Sequence, residues 1–346
     1  MKGKLIIIFF SLILFSCKEK NTSRIISRVE VQEFTIDSTS IRSLIAVDEN
    51  NLVFAGSNGT IGNYNLEKGL NKLKVRYQDS IIPHFRSLAS NGSNHFALSI
   101  ANPALLYKIE NNNYKIVYQE NHEKVFYDSM HFFENGKDGI AVGDPTEDCA
   151  SIIMTNDGGN SWTKIPCSEL PKFEEGEAFF AASNTNIKII GDTIWIASGG
   201  KKARILKSID KGKTWKIYDT PIVQGNGPQG IYSIDFYDKN NGIIIGGDYS
   251  KPNDNCKNKA ITRDGGKTWT IIADNINPNY KSCVQYIPKG DGKEIIAVGK
   301  TGISYSTDTG LTWKHLSNKD FYAIQFVNST TAWLTGNNKI GLLKIK

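Results

Sequence analysis

A chain of 346 residues with 22% charged side chains and a formal net charge of +6 carries only a mild positive excess. An excess of this size argues against a nucleic-acid groove, whose footprint is a dense stripe of Lys and Arg. In chain order, Lys2 and Lys4 form a basic start ahead of the 11-residue apolar run Leu5–Phe15. That run is too short for a membrane-spanning helix, which needs about 20 residues, and it suits the core of a signal peptide.

The run ends in "LFSC", which resembles the lipobox of bacterial lipoproteins. The resemblance implies a signal peptide over 1–16, lipidation of Cys17 and a flexible tether over 17–27, where "CKEKNTS" turns abruptly polar. The folded body, 28–346, is then expected in the cell envelope at the outer-membrane, periplasmic or cell-surface face, as a monomer. Several acyl chains hold a protein stably where one holds it marginally. Removing 1–16 lowers the charge to +4 and leaves Cys149, Cys167, Cys256 and Cys283. An even number in an oxidising compartment allows two disulfides.

Beyond residue 40 the chain repeats. "TNDGGNSW" (155–162), "SIDKGKTW" (208–215), "TRDGGKTW" (262–269) and "STDTGLTW" (306–313) share [S/T]-x-D-x-G-x-[S/T]-W, with tryptophans 53, 54 and 44 residues apart. Short β-branched and aromatic runs bounded by Asn, Asp and Gly precede each one, as in "GIAVGD" and "SIIMTND" before the first. The pattern without the octapeptide recurs at 41–67, 84–119 and 321–346. Units beginning near Ile41, His84, Phe126, Glu177, Gly230, Ser282 and Phe321 give a period of about 44, that of a four-stranded propeller blade. The prediction is an all-β chain forming one seven-bladed β-propeller of four-stranded antiparallel blades, with six or eight blades as the alternatives that the degenerate second unit leaves open. The segment 28–36 is expected to supply the strand missing from the last blade.

The octapeptides resemble Asp-box (BNR) repeats. That resemblance places them at the turn between the third and fourth strands of a blade, on the face opposite the ligand site. Chemistry agrees: Asp157, Asp210, Asp264 and Asp308 can accept backbone N–H bonds within the turn, Gly supplies a positive φ, and Trp162, Trp215, Trp269 and Trp313 each bury a large face. Their role is structural. Cys149 and Cys167 flank the first octapeptide almost symmetrically and are expected to pair. Cys256 and Cys283 fall on the same upper face and form the second predicted pair.

Function is therefore sought on the upper face. Arg42 in "IRSL" and Arg86 in "FRSL" begin adjacent inner strands and are expected to point into the channel mouth. Individual loops add Asp144, Glu147, Asp148, Glu177, Lys201, Lys202, Arg204, Asp248, Tyr249 and Lys300. Asp144, Lys201, Lys202, Tyr249 and Lys300 make a binding face. Arg42, Arg86, Arg204, Glu177 and Asp248 are the weaker catalytic set. Sialidases share Asp-boxes and hold a substrate carboxylate with three arginines. This sequence lacks their F/Y-R-I-P signature, and nothing selects Tyr232 or Tyr322 as nucleophile or Asp128 as acid. The pairing of "G-I/A-x-V/I-G" strands with the octapeptides over residues 40–346 resembles more closely the propellers related to the photosystem II assembly and stability factor. Members of that family are thought to be assembly chaperones, and non-photosynthetic bacteria carry them as exported lipoproteins. The expectation is a non-catalytic scaffold for a protein or glycan. The alternative is a glycoside hydrolase or polysaccharide lyase acting on an acidic glycan. Five histidines without ligand spacing give no metal site, no phosphate-binding glycine loop precedes a helix, and no cofactor is expected.

Overall fold

The computed structural model describes residues 24, 26–111 and 113–346. The predicted signal segment and Cys17 lie outside these residues. Six antiparallel sheets carry the chain, and five of their second strands are buried along their whole length: "GIAVG" (Gly139–Gly143), "TIWIA" (Thr193–Ala197), "GIIIGGD" (Gly242–Asp248), "IIAVG" (Ile295–Gly299) and "TAWLT" (Thr331–Thr335). A strand covered on both faces reads as a continuous apolar run instead of an alternation. Several fourth strands are short and solvated, as in Thr163–Lys164 and Thr270–Ile271.

The innermost strands follow one another in space. Val29–Ala46 packs beside Phe85–Ser90, then come Tyr127–Phe132, Ile187–Ile190, Gln229–Phe236, Cys283–Tyr286 and Ala323–Phe326, which returns to Val29–Ala46. This is a β-propeller. The 18-residue strand Val29–Ala46 closes the circuit within a seven-stranded sheet. Its first half pairs with Asn337–Ile345 in the register Phe34↔Ile340, its second half pairs with Asn51–Gly56, and the register breaks between Thr35 and Ser40.

Large side chains fill the gaps between sheets. Trp195, fully buried, stacks on Phe236 with centroids 4.0 Å apart and donates its indole N–H to the Gly265 carbonyl at 2.8 Å. Trp333 does likewise with the Asp48 carbonyl at 2.8 Å. Truncating such a residue typically costs about 3–5 kcal/mol.

Each octapeptide joins the third and fourth strands of its array. In the third copy the Asp264 carboxylate accepts the Lys267 and Thr268 amides, both at 3.0 Å, and the Thr268 hydroxyl at 2.7 Å, while the Gly266 amide donates to Thr262 Oγ1. Gly266 holds φ at +84°, with Gly159, Gly212 and Gly310 between +82° and +87°. Burial works against ionisation of Asp157, Asp210 and Asp264, but the hydrogen bonds of the turn prevail and hold each carboxyl down at about 2.

Three features depart from the sequence reading. Arg24 and Ile26, assigned to a flexible tether, belong to the packed body: the Arg24 guanidinium pairs with Glu294 at 3.1 Å and Ile26 is buried beside Cys283 and Ile287. Cys149 and Cys167 form a disulfide with Cα atoms 5.6 Å apart, but the predicted Cys256–Cys283 bond is absent. Cys283 lies on an innermost strand, fully buried in one cluster with Ile296 and Ile324, whereas Cys256 is half-buried in the loop after Gly242–Asp248. The unit counted from Glu177 also begins late. Glu177–Ala178 pairs with Gly199–Gly200, and the innermost strand starts only at Ile187. Among the described residues no helix is long and apolar enough to cross a membrane.

Candidate functional site

Four innermost strands carry a β-bulge at equivalent positions. The register skips Arg42 between Ile41 and Ser43, Arg86 between Phe85 and Ser87, Asp128 between Tyr127 and Ser129, and Tyr232 between Ile231 and Ser233. A bulge leaves one residue out of the ladder and re-aims its side chain. Three of the four, Arg42, Arg86 and Tyr232, line one cavity of about 520 Å³ at the ends of these strands, with Ser282 and Tyr322, each immediately before a further innermost strand. Phe180, Tyr249, Tyr280, Lys300, Asp320 and Asn337 complete its wall.

The late start of the strand at Ile187 explains the floor. Residues 180–186 run across the centre of the ring and bond to strands on all sides. Asn184 donates its side-chain amide to the Leu88 carbonyl at 2.8 Å and accepts the Met130 amide at 2.9 Å. Ser183 donates to the Ser282 carbonyl at 2.6 Å, and Thr185 shares a hydroxyl contact of 2.7 Å with Ser233. Arg42 and Arg86 each spend one terminal nitrogen on this segment, donating to the Ala182 and Ala181 carbonyls at 3.2 and 3.4 Å. The channel is thereby plugged and the cavity is closed at its base.

Both guanidiniums are aligned but not neutralised. Arg42 lies over the Tyr322 ring at 4.0 Å, a cation–π geometry. The buried Nε atoms of Arg42 and Arg86 have no hydrogen-bond partner among the described residues. Burial and then the neighbouring Arg42 charge bring Arg86 down to about 10, and burial with the same two arginines lowers His84. Near Arg86 the Asp128 carboxyl is fully buried, and among the described residues neither oxygen makes a well-formed hydrogen bond, although the nearby Ala181 amide favours its ionised form. Burial and the nearby Asp144 push it well above the usual carboxylate range, against the pull of Arg86. Burial likewise raises Asp144 to about 6, although it accepts the Phe179 amide at 2.7 Å. On one wall Tyr232 stacks on Phe180 at 4.0 Å with planes 7° apart, and Tyr280 meets Tyr232 edge-on at 4.9 Å. The cavity thus offers cationic donors at its base, aromatic faces on its side and one unpaired amine, Lys300, at its rim.

Of the sequence candidates, Arg42, Arg86, Tyr249 and Lys300 meet here, with Tyr232 and Tyr322. Arg204 and Glu177 do not. They bond to each other, Nε to Oε1 at 3.1 Å and Nη2 to Oε2, with side chains only 10% and 0% exposed. Ser198 adds a donor to Glu177 at 2.6 Å, and Arg204 also reaches the Lys172 carbonyl at 3.0 Å. This pair anchors the chain three residues before the plug. Asp248 is occupied by the amide and hydroxyl of Ser250 within a turn. Asp148 pairs with Lys172, Lys202 approaches Asp219 at 3.5 Å, and Asp144, Glu147, Lys201 and Lys202 are not part of the cavity wall. Phe180, Tyr280, Asp320 and Asn337 escaped the sequence reading. One signal was available for Ser282 and Tyr322, because "KS" and "FY" stand in their units where "IR" and "FR" stand in the first two. Among the described residues no group of three or more His, Cys, Asp or Glu side chains is arranged to hold a metal ion.

Residues 150–302 match the Sortilin-Vps10 family (sortilin, neurotensin receptor 3). None of the curated proteins matches the chain in sequence. Solved structures similar to it include YCF48 bound to D1 peptide, with a TM-score of 0.62 and 13% identity over 91% of this chain and 97% of that one. YCF48 from Cyanidioschyzon merolae has a TM-score of 0.59 and 12% identity over 92% and 98%. The WD40 β-propeller domain of Doa1 has a TM-score of 0.63 at 9% identity over 92% and 98%. At these identities the likeness is one of fold.

Proposed function

We propose that this protein is a lipid-anchored, seven-bladed Asp-box propeller of the cell envelope that captures a carboxylate-bearing end of a partner polypeptide in its central cavity and catalyses no reaction. The seven-blade reading treats the seven-stranded sheet as two blades that share Val29–Ala46. The observation that carries the binding role is the plugged cavity with Arg42 and Arg86 bulged into it. An internal chain segment needs two exits, and a cavity closed at its base favours a chain end. The two guanidiniums favour a carboxylate over an ammonium terminus. The fold shared with YCF48, which has been captured with a D1 peptide, supports a protein partner.

The test is retention of random-sequence peptides with free C-terminal carboxylates by the immobilised protein, against the same pool amidated. Free-acid peptides are expected to be retained selectively, and Arg42→Ala or Arg86→Ala to weaken retention at least tenfold, since a charged hydrogen bond contributes about 1.5–3 kcal/mol. Equal retention of both pools overturns the carboxylate reading. The competing reading is a hydrolase or lyase on an acidic glycan, and it draws on the same two arginines beside Tyr232 and Tyr322. Turnover of an acidic oligosaccharide, abolished by Arg86→Ala, would establish it instead.

A further inference from the structure

Lys300 lines a second space as well as the central cavity: a cleft of about 640 Å³ between the segments 252–253, 277–279 and 315–318. The partition between the two spaces is a single stretch of chain. Tyr280 and Ser282 face the cavity, while Lys281 between them lines the cleft. The partition is stiff. The fully buried Lys281 ammonium donates to Thr301 Oγ1 at 2.8 Å and to the Thr301 and Gly302 carbonyls at 3.2 and 3.0 Å, and Thr301 in turn donates to the Tyr280 carbonyl at 2.9 Å. Lys300 rises at this boundary, exposed, and its amine has no bond or ion pair with the described residues.

The cleft differs in chemistry from the cavity. Its lining is rich in carboxamides, and no aromatic side chain but the imidazole of His315 contributes. Asn277 is exposed and its amide has no partner among the described residues. Asn318 contacts His315 through its oxygen at 2.7 Å, leaving the NH₂ group free. Carboxamides supply a donor and an acceptor each, the complement of a peptide unit, and discriminate little between side chains. We infer that the cleft is a second subsite, in which Asn277 and Asn318 hydrogen-bond the main chain of the residues preceding the captured terminus as the ligand passes over Lys300. This rests on the proposed end-capture in the cavity. The bound polypeptide is accordingly extended, held by its carboxylate at one point and read by its backbone beyond it.

The experiment takes a peptide retained by the wild-type protein and compares its C-terminal dipeptide, tetrapeptide and octapeptide by fluorescence anisotropy, with N-methylated backbone versions of the octapeptide. Affinity is expected to rise from dipeptide to octapeptide. Backbone N-methylation upstream of the terminal residue, Asn277→Ala and Asn318→Ala are each expected to weaken the octapeptide about five- to tenfold, with the dipeptide unchanged. Both asparagines are exposed, so neither substitution threatens folding; an unchanged thermal midpoint verifies this. If wild-type protein retains no free-acid peptide, end-capture itself fails. If peptides are retained but length, N-methylation and both asparagine variants make no difference, the second subsite is refuted and the cavity reading stands. Selective retention of acidic oligosaccharides over all peptides overturns both.

Discussion

Replacing Glu177 with Ala is expected to destabilise the protein strongly without touching the cavity wall. The Glu177 side chain is fully buried and takes three donor groups: the Arg204 guanidinium, the Ser198 hydroxyl at 2.6 Å and the Glu174 amide at 3.1 Å. Its loss leaves the 10%-exposed guanidinium with one protein acceptor, the Lys172 carbonyl. Breaking a buried pair from one side costs about 3–5 kcal/mol, because the remaining charge stays out of water. In a domain of this size about 2 °C accompanies each kcal/mol, so a drop of roughly 6–10 °C in thermal midpoint is expected by calorimetry. The double variant Glu177→Leu/Arg204→Met removes both charges and is expected to recover to within about 2 kcal/mol of wild type by urea titration. Ser198 still has the Arg204 main chain, to which it donates at 3.3 Å and from which it accepts at 2.9 Å. A single variant costing less than about 1 kcal/mol, or a double variant no better than the single, would refute the account of this pair as a buried anchor.

Two further outcomes are expected. Cys149→Ser/Cys167→Ser opens a loop of sequence separation 18 and is expected to lower stability by about 3 kcal/mol, with the same loss on adding reductant to the wild type. An unaltered urea midpoint would contradict it. Acid titration separates two kinds of carboxyl. The carboxyls of Asp157, Asp210 and Asp264, held at about 2, contribute stability that is present above the unfolded value near 3.8 and is lost as pH falls through 2. Asp144, raised to about 6, has the opposite sign: its contribution is present below 3.8 and lost as pH rises through 6. Asp144→Asn is therefore expected to remove a downward slope of up to about 1.4 kcal/mol per pH unit between pH 4 and 6. An unchanged profile in that window would show that the carboxyl titrates normally.

What could be read from the sequence was local. The octapeptide turns close over eight residues, so the types at fixed offsets dictate the turn, and wholly apolar second strands follow from cover on both faces. Arg42 and Arg86 were legible because two neighbouring units carry them in the same place. The plug was not. "AASNTN" has neither strand alternation nor turn chemistry of its own, and its bonds reach Leu88 and Ser282, 96 and 99 residues away. Glu177 and Arg204 were misassigned for a related reason. Charged residues in loops suggest accessibility, and only the fold reveals that these two cancel each other in the interior. Cys283 was misplaced by a small error of strand position, since its place on an innermost strand turns the thiol into the core.

The pairing of Val29–Thr35 with Lys339–Ile345 also bears on how the molecule comes into being. The segment Val29–Thr35 has its hydrogen-bonding partner about 300 residues further along the chain, so it must wait with an open edge until Lys339–Ile345 has been made. An unpaired edge is a template for wrong pairings between chains. Bringing ends so far apart together also carries a loop-closure entropy that is met only once the intervening sheets have formed. Truncation from the C-terminus should therefore disable the N-terminal strand first, and a permuted chain with its ends moved to an exposed turn would separate the timing of ring closure from its energy.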